Sequence, residues 1–257
     1  MRARFAAMMS SKNQHEAPAM VCTDPYAFLS ALIARDHAQA HARKAGEPKP
    51  VRVVTLSRDC GAGGEWIAQQ LGQMLKIPVH DRHILELAAH KSHMDPLQMD
   101  PDEERGPSAV SSFIYGALTG SSSELNNYRR ALFEAVLELA QHDGLLMGRG
   151  AHLILAGRKA FRVRIVGSRL TCAKRLADEL SISLDTAERK VVEIDTKRHR
   201  AIERLFHDSY EHCGLAYAKN FDLIINTDHI APDHAVPIIL LAMQQAGYSL
   251  DGHQGGH

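Results

Sequence analysis

One stretch, Val51 to Ala68 (VRVVTLSRDCGAGGEWIA), limits what this chain can fold into more than any other. Its first half is an apolar run rich in β-branched side chains, Val51, Val53, Val54, Thr55 and Leu56, and predicts a strand. The run stops at Ser57, Arg58 and Asp59, passes through Gly61, Ala62, Gly63 and Gly64, and enters the amphipathic segment GEWIAQQLGQML, which predicts a helix. Glycines let backbone N–H groups turn toward a ligand with no Cβ in the way, and a helix N-terminus adds partial positive charge. Strand, glycine loop and helix in that order therefore suit an anion, most often a phosphate. The alternative is that these glycines only make a tight strand-to-helix turn.

The loop is not a regular Walker A motif, GxxxxGK[ST], in which a lysine reaches the phosphates and a hydroxyl reaches magnesium. If Gly63 is the last glycine of that pattern, Gly64 and Glu65 stand in the Lys and Ser/Thr places; if Gly64 is, Glu65 and Trp66 do. Neither register supplies the lysine.

Apolar and amphipathic runs then alternate along the chain. Residues 77–81 (IPVHD) read as a short strand ending in Asp81, followed by the helix ILELAAHKSH. YRRALFEAVLELAQHDG reads as a helix from Tyr128 to Gly144, and LLMGRGAHLIL as a buried strand leaving into a Gly148-Arg149-Gly150 turn. Residues 161–168 read as a strand, RLTCAKRLADEL as a helix and residues 221–228 as the last strand. The closing helix HAVPIILLAMQQAG takes Asp233 as its N-cap, Pro237 in its first turn and Gly247 as its stop. Five strand–helix units with apolar strands predict an α/β fold, a parallel sheet with helices on both faces. The ligand site of such a sheet lies beyond the C-terminal strand ends, where the glycine loop, Asp81 and Arg149 would converge. Arg149 is expected to contact the ligand, the alternative being a surface arginine in a turn.

Residues 181–210 are heavily charged. Lys197, Arg200 and Arg204 share one face of a helix, and Glu193–Lys197 and Asp195–Arg198 are spaced for ion pairs. This is either a solvated face or a set of guanidiniums ready to close over phosphates. Residues 94–127, rich in Pro, Asp, Ser and Gly, are either a mobile substrate-covering element or a disordered insertion. Residues 1–48 look peripheral: Asp24 and Pro25 would start one helix, whose Phe28, Leu29, Leu32 and Ile33 form an apolar stripe fit for docking on the body, a partner or a second copy.

Thirty basic and thirty acidic residues balance, so no whole-protein field favours nucleic acid or a membrane. No apolar run approaches the roughly 20 residues of a membrane helix. The weak, interrupted apolar region in MRARFAAMMSSKNQHEAP argues against a secretory signal. Cys22, Cys60, Cys172 and Cys213 are far apart with no CxxC, as expected for reduced thiols in a cytoplasmic protein. Cys60, near a helix N-terminus, is read as a loop-filling side chain in preference to a reactive thiol. His37 with His41, and His80 with His83, have ligand-like spacing but no neighbouring Glu or Cys to complete a set, so no metal site is expected.

Five segments in this order and spacing, SRDCGAGGEWIA, IPVHDRHILELAA, MGRGAHLIL, IDTKRHR and FDLIINTD with its closing helix, resemble the cytidylate kinase-like proteins, relatives of the nucleoside monophosphate kinases. The resemblance covers residues 51–246. It implies a three-layer P-loop fold with a five-stranded parallel core over residues 49–250, an acceptor-side segment at 94–127 and a helical lid at 181–212. Residues 1–48 would be a helical extension and 251–257 a disordered tail.

By the same resemblance, Gly61, Ala62, Gly63 and Gly64, with Ser57 and Glu65 beside them, would wrap the phosphates of ATP. Asp81 would face the acceptor, and Arg149 would meet the acceptor or the transferring phosphate. Arg198, Arg200 and Arg204 would be lid arginines. The implied reaction is phosphoryl transfer from ATP to a nucleoside monophosphate with Mg2+, in which the protein positions groups and neutralises charge. Two departures stand out. Relatives commonly carry GSGGRE in the loop, with arginine where this chain has Glu65, and an aromatic pair where it has Ala201 and Ile202. Arg58 is the expected substitute for the missing lysine, and Glu65 leaves open a nucleotide-binding regulatory protein that has lost catalysis.

Overall fold

In a computed structural model of the chain, which describes residues 51–92, 122–207 and 210–250, the apolar runs form five strands. These are β1 (Val53–Arg58), β2 (Val79–His80), β3 (Gly144–Met147), β4 (Phe161–Val166) and β5 (Leu223–Asn226). All four pairings are parallel, in the order β2-β3-β1-β4-β5. The order reverses around β1: the chain steps out to β2, returns through β3, then crosses to β4 and β5. Such a reversal opens a crevice at the C-terminal strand ends.

The helices are α1 (Gly64–Leu75), α2 (Arg82–Ser92), α3 (Ser122–Leu139), the single turn α4 (Ala151–Ile154), α5 (Arg169–Leu180), α6 (Leu184–Phe206) and α7 (Pro232–Gln245). Alternation along the strands sends side chains to two cores. Val54, Leu56, Leu145, Met147, Val163 and Ile165 face α1, α5 and α7, whereas Val53 and Leu146 face α3 and α4. Helices thus cover both faces, as the apolar strands predict. No described helix is long and apolar enough to cross a membrane.

Several boundaries differ from the sequence reading. Strand β1 runs on through Ser57 and Arg58, because both still pair with β4. Helix α3 starts at Ser122, six residues before the first periodic residue, Tyr128; its polar first turns carry no apolar period to reveal them. Gly144 opens β3 where it was expected to close a helix. Helix α7 is capped by Ala231, not Asp233: Pro232 occupies the first helical position, where a missing N–H is harmless, and this moves Asp233 into the first turn and Pro237 beyond it. The expected extension at 1–48, most of 94–127 and the tail at 251–257 lie outside the described residues.

Helix α6 packs on both cores. Ser183 caps its start, accepting from the Thr186 N–H at 3.3 Å. Its first turns bury Ala187 and Val191 in the α1/α5/α7 core, and its last turns bury Ile202, Leu205 and Phe206 in the opposite core. The helix therefore crosses the C-terminal rim of the sheet from one face to the other, carrying its middle residues over the glycine loop.

Candidate active site

The glycine loop joins β1 to α1 at the centre of the sheet. Gly61 and Gly63 adopt φ of +74° and +80°, a region that side-chain-bearing residues rarely enter. Gly63 is the N-cap of α1 and no side chain caps it, so the first N–H groups of the helix are turned to the loop. The last strand holds the loop in place, since the buried Thr227 hydroxyl donates to the Ala62 carbonyl at 3.0 Å.

Arg58 lies across this loop. A Cβ at Gly64 would come within 2.5 Å of the Arg58 Cβ, and one at Gly148 within 2.9 Å of its Nη1. The two glycines, far apart in sequence, leave the channel the guanidinium runs through. Its Nε donates to Glu65 Oε1 at 2.8 Å and its Nη2 lies 4.0 Å from Asp81 Oδ2. Arg149 sits beyond β3 with φ +53°, a left-handed conformation that a non-glycine residue adopts at some strain, and it lines the cavity next to Arg58.

From above, α6 contributes Asp195 and Arg198. Asp195 Oδ1 accepts the Cys60 N–H of the loop at 2.8 Å. Arg198 donates from Nη1 to the Arg58 carbonyl at 3.4 Å, and it stands 3.9 Å from Glu65 and 3.7 Å from Asp195. Helix α6 is thus fastened to the loop by a carboxylate and a guanidinium. Burial raises the pKa of Asp195, assisted by nearby Asp59 and opposed by the Cys60 N–H and the arginines. Burial also pushes Glu65 upward, but Arg58 and Arg198 outweigh it and hold the carboxyl below its ordinary range, so Glu65 is an anion at neutral pH.

Beneath these groups the sheet carries a polar floor. Ser57 and Arg164 are register partners on β1 and β4, both buried, and His152 of α4 reaches Ser57, Nδ1 to Oγ, at 3.3 Å. Arg164 is paired with Asp59 of the loop. His152 stacks on Phe221 with ring centroids 4.7 Å apart. Burial first, and then Arg164 and Arg162, push its pKa down to about 3, so the ring is neutral. Floor, arginines and α6 line a cavity of about 60 Å³, walled on its apolar side by Ala201, Ile202, Leu205 and Leu215.

Of the residues singled out from sequence, Arg58, Arg149 and Arg198 line this one cavity, and Asp81 and Glu65 adjoin it through Arg58. Ser57 lines it too, facing the floor below the glycine loop. Arg200 and Arg204 do not join them. Both are exposed, Arg200 beside a shallow groove with Arg169, Val192 and His199, because the body-facing stripe of α6 runs through Val191, Asp195, Arg198, Ile202 and Leu205. Sequence reasoning missed His152, Arg164, Asp59 and Asp195. Two arginines alternating with Phe161, Val163 and Ile165 in a central strand were the available signal, since a strand buried on both sides tolerates charge only with a partner.

No group of three or more His, Cys, Asp or Glu among the described residues could hold a metal ion. His80 and His83 do meet, their Nδ1 atoms 3.2 Å apart, with no third ligand beside them. His37 and His41 lie outside the described residues.

A central glycine loop, a five-stranded parallel sheet in 2-3-1-4-5 order and an arginine-bearing helix across its rim define a P-loop kinase-like fold. The chain belongs to the cytidylate kinase-like family, which matches residues 53–229. No curated protein matches the sequence. Among solved structures, an uncharacterized protein from Eubacterium ventriosum is 16% identical with a TM-score of 0.57, over 76% of this chain and 99% of that one. Shikimate kinase from Acinetobacter baumannii, in complex with shikimate, is 13% identical with a TM-score of 0.42, over 77% of this chain and 96% of that one. A gluconokinase from Sinorhizobium meliloti is 10% identical with a TM-score of 0.41, over 77% and 95%. The Eubacterium likeness, at that identity, shows the fold alone.

Proposed function

We propose that this protein transfers the γ-phosphoryl group of ATP to a nucleoside monophosphate. The observation that carries the reading is the meeting of Arg58, Arg149 and Arg198, from three distant segments, around one cavity beside the glycine loop. Phosphoryl transfer asks for little covalent chemistry from a protein and much positioning and charge neutralisation. In this scheme the N–H groups of Gly61, Gly63 and Gly64 hold the donor phosphates, the Ala62 N–H donating instead to the Asp59 carbonyl at 3.2 Å, and Arg58 stands in for the lysine. Arg149 holds the acceptor phosphate and Arg198 the group in transfer. An acceptor phosphate oxygen bonds to the γ-phosphorus while the bond to the β,γ-bridging oxygen breaks, and ADP leaves. Glu65 in one register and Trp66 in the other stand where a P-loop hydroxyl would reach Mg2+, so neither register supplies that hydroxyl, and ATP would carry the metal on its own phosphates.

The test is transfer of labelled phosphate from ATP, with magnesium, to a panel of monophosphates. Arg149→Ala and Arg198→Ala are each expected to lower the rate at least tenfold with the circular dichroism spectrum intact. Unchanged rates would remove their assigned roles. A second reading rests on one contact, Arg58 with Glu65: a nucleotide-binding regulatory protein on the same scaffold, catalytically weak or inactive. Calorimetric ATP binding without product from any monophosphate selects it, and measurable turnover excludes it.

A further inference from the structure

The cavity floor holds buried nitrogens that no described residue satisfies. Arg164 is 3% exposed; its Nη2 is held by Asp59, while Nε and Nη1 find no acceptor. His152 is 1% exposed; its Nδ1 meets Ser57, while Nε2 finds no partner. Buried donors without partners are costly, and folded proteins keep them where an ion, a water or a reacting group completes them. Here they share one patch, since Ser57 and Arg164 face each other across the β1–β4 register and His152 bridges to Ser57.

The chemistry of the patch says what completes it. A buried guanidinium is permanently cationic and donates through a planar fork. The imidazole is neutral; if the Ser57 hydroxyl donates to Nδ1, the ring proton sits on Nε2 and becomes one more donor. Donors gathered in one patch match an oxyanion. A cavity of about 60 Å³ admits roughly four water-sized centres, which fits one phosphate or carboxylate group.

We propose that Ser57, His152 and Arg164 form an oxyanion subsite, separate from the glycine loop, that takes one phosphate or carboxylate group. The unsatisfied nitrogens are shielded in this structure, so the group is bound only if the guanidinium turns toward the cavity. The group is either a free ion or the anionic end of the acceptor molecule; only the second alternative rests on the proposed kinase reaction.

The full-length protein is titrated with inorganic phosphate by calorimetry and by 15N NMR of its histidine rings at pH 7. Saturable binding is expected, with a matching shift of His152 Nε2 that phosphate bound at the glycine loop would not produce. Arg164→Lys keeps the charge and loses the fork; His152→Phe keeps the stack on Phe221 and loses the ring nitrogens. Each is expected to weaken phosphate at least tenfold. Should Arg164→Lys fail to fold, His152→Phe decides alone. A monophosphate or small carboxylate that displaces phosphate one for one identifies the acceptor's own anionic end, and no displacement identifies the free ion. Phosphate binding that is absent, that leaves His152 Nε2 unmoved or that both variants retain overturns the subsite. ATP affinity, measured in parallel, separates the two ideas: ATP without phosphate binding sinks the subsite alone, and phosphate without ATP binding sinks the kinase reading alone.

Discussion

Replacing Glu65 with glutamine changes the charge of the proposed phosphate cradle while leaving its shape. The carboxylate bonds Arg58 at 2.8 Å and stands 3.9 Å from Arg198, so it neutralises two of the cations the proposed reaction needs. A donor phosphate entering the loop meets both the repulsion of this anion and a guanidinium already engaged. Two unit charges about 4 Å apart at an effective dielectric near 20 repel by roughly 4 kcal/mol. The Glu65 side chain is 51% exposed, and solvent screening brings this to about 2 kcal/mol. That corresponds to about 30-fold in affinity.

Glu65→Gln should therefore bind ATP roughly 30-fold more tightly than the natural chain in calorimetry at low salt. Glu65→Arg, which adds a cation, should gain more. The advantage should shrink as salt rises, because a half-exposed pair is screened. Folding stability should fall only slightly, by under about 1 kcal/mol, since exposed ion pairs contribute little. Equal or weaker ATP binding by Glu65→Gln at low salt would refute the reasoning. It would mean that the carboxylate points away from the phosphate path when nucleotide is bound, as an acid in a first helical turn can.

The other expectations are narrower. His152 has a folded pKa of about 3 against about 6.5 unfolded, so its contribution is fully present above pH 6.5 and is lost as pH falls, at about 1.4 kcal/mol per unit. Between pH 6.5 and 5, urea unfolding of His152→Phe should accordingly lose about 2 kcal/mol less stability than the natural chain, and parallel losses would contradict the burial argument. The folded pKa of Asp195 is raised, so stability falls as pH rises from its unfolded pKa through the folded one. Asp195→Asn, whose amide oxygen can still accept the Cys60 N–H, should match or exceed the natural melting temperature at pH 7; a fall of several degrees would show the charge to be needed. Gly150 has φ +70° and a Cβ there would clash with the edge of the Phe206 ring, so Gly150→Ala should lower urea stability by about 3 kcal/mol through strain and displacement of the end of α6. A loss below about 1 kcal/mol would mean the helix end seats elsewhere.

Much of this architecture is legible in the residues, for identifiable reasons. A parallel sheet covered on both faces requires apolar strands, and the runs at Val53, Leu145 and Phe161 could hardly be anything else. Gly61 to Gly64 and Gly148 to Gly150 mark strand exits because the backbone there needs left-handed or uncrowded positions. What stayed hidden depends on pairing across the chain. Nothing in FRVRIV says that Arg164 meets Asp59, 105 positions earlier, or that His152 stacks on Phe221. The face of α6 is the instructive case. Charge spacing drew attention to Lys197, Arg200 and Arg204, but the apolar residues Val191, Ile202 and Leu205 determine which side is buried, and that side carries Asp195 and Arg198.

On the proposed reaction, the charges around the loop single out residue 65 as the one to govern nucleotide entry. Arg164 is paired with Asp59, Arg198 stands between Asp195 and Glu65, and Arg58 between Glu65 and Asp81. These cations are already balanced by carboxylates of the chain, so a polyphosphate can gain them only by displacing one. Asp59 is the wrong candidate: it is mostly buried against an arginine that is itself 4% exposed, and parting such a pair costs about 3–5 kcal/mol. Asp195 accepts a loop N–H that would need a new acceptor. Glu65 has the longest stem and the most exposed carboxylate of the four, and it starts from the first turn of α1, where it can swing into water and leave the Arg58 Nε to the incoming phosphate. The carboxylate best able to yield is the one on the loop itself, so the residue at this position should determine whether the scaffold holds nucleotide tightly enough to act on it.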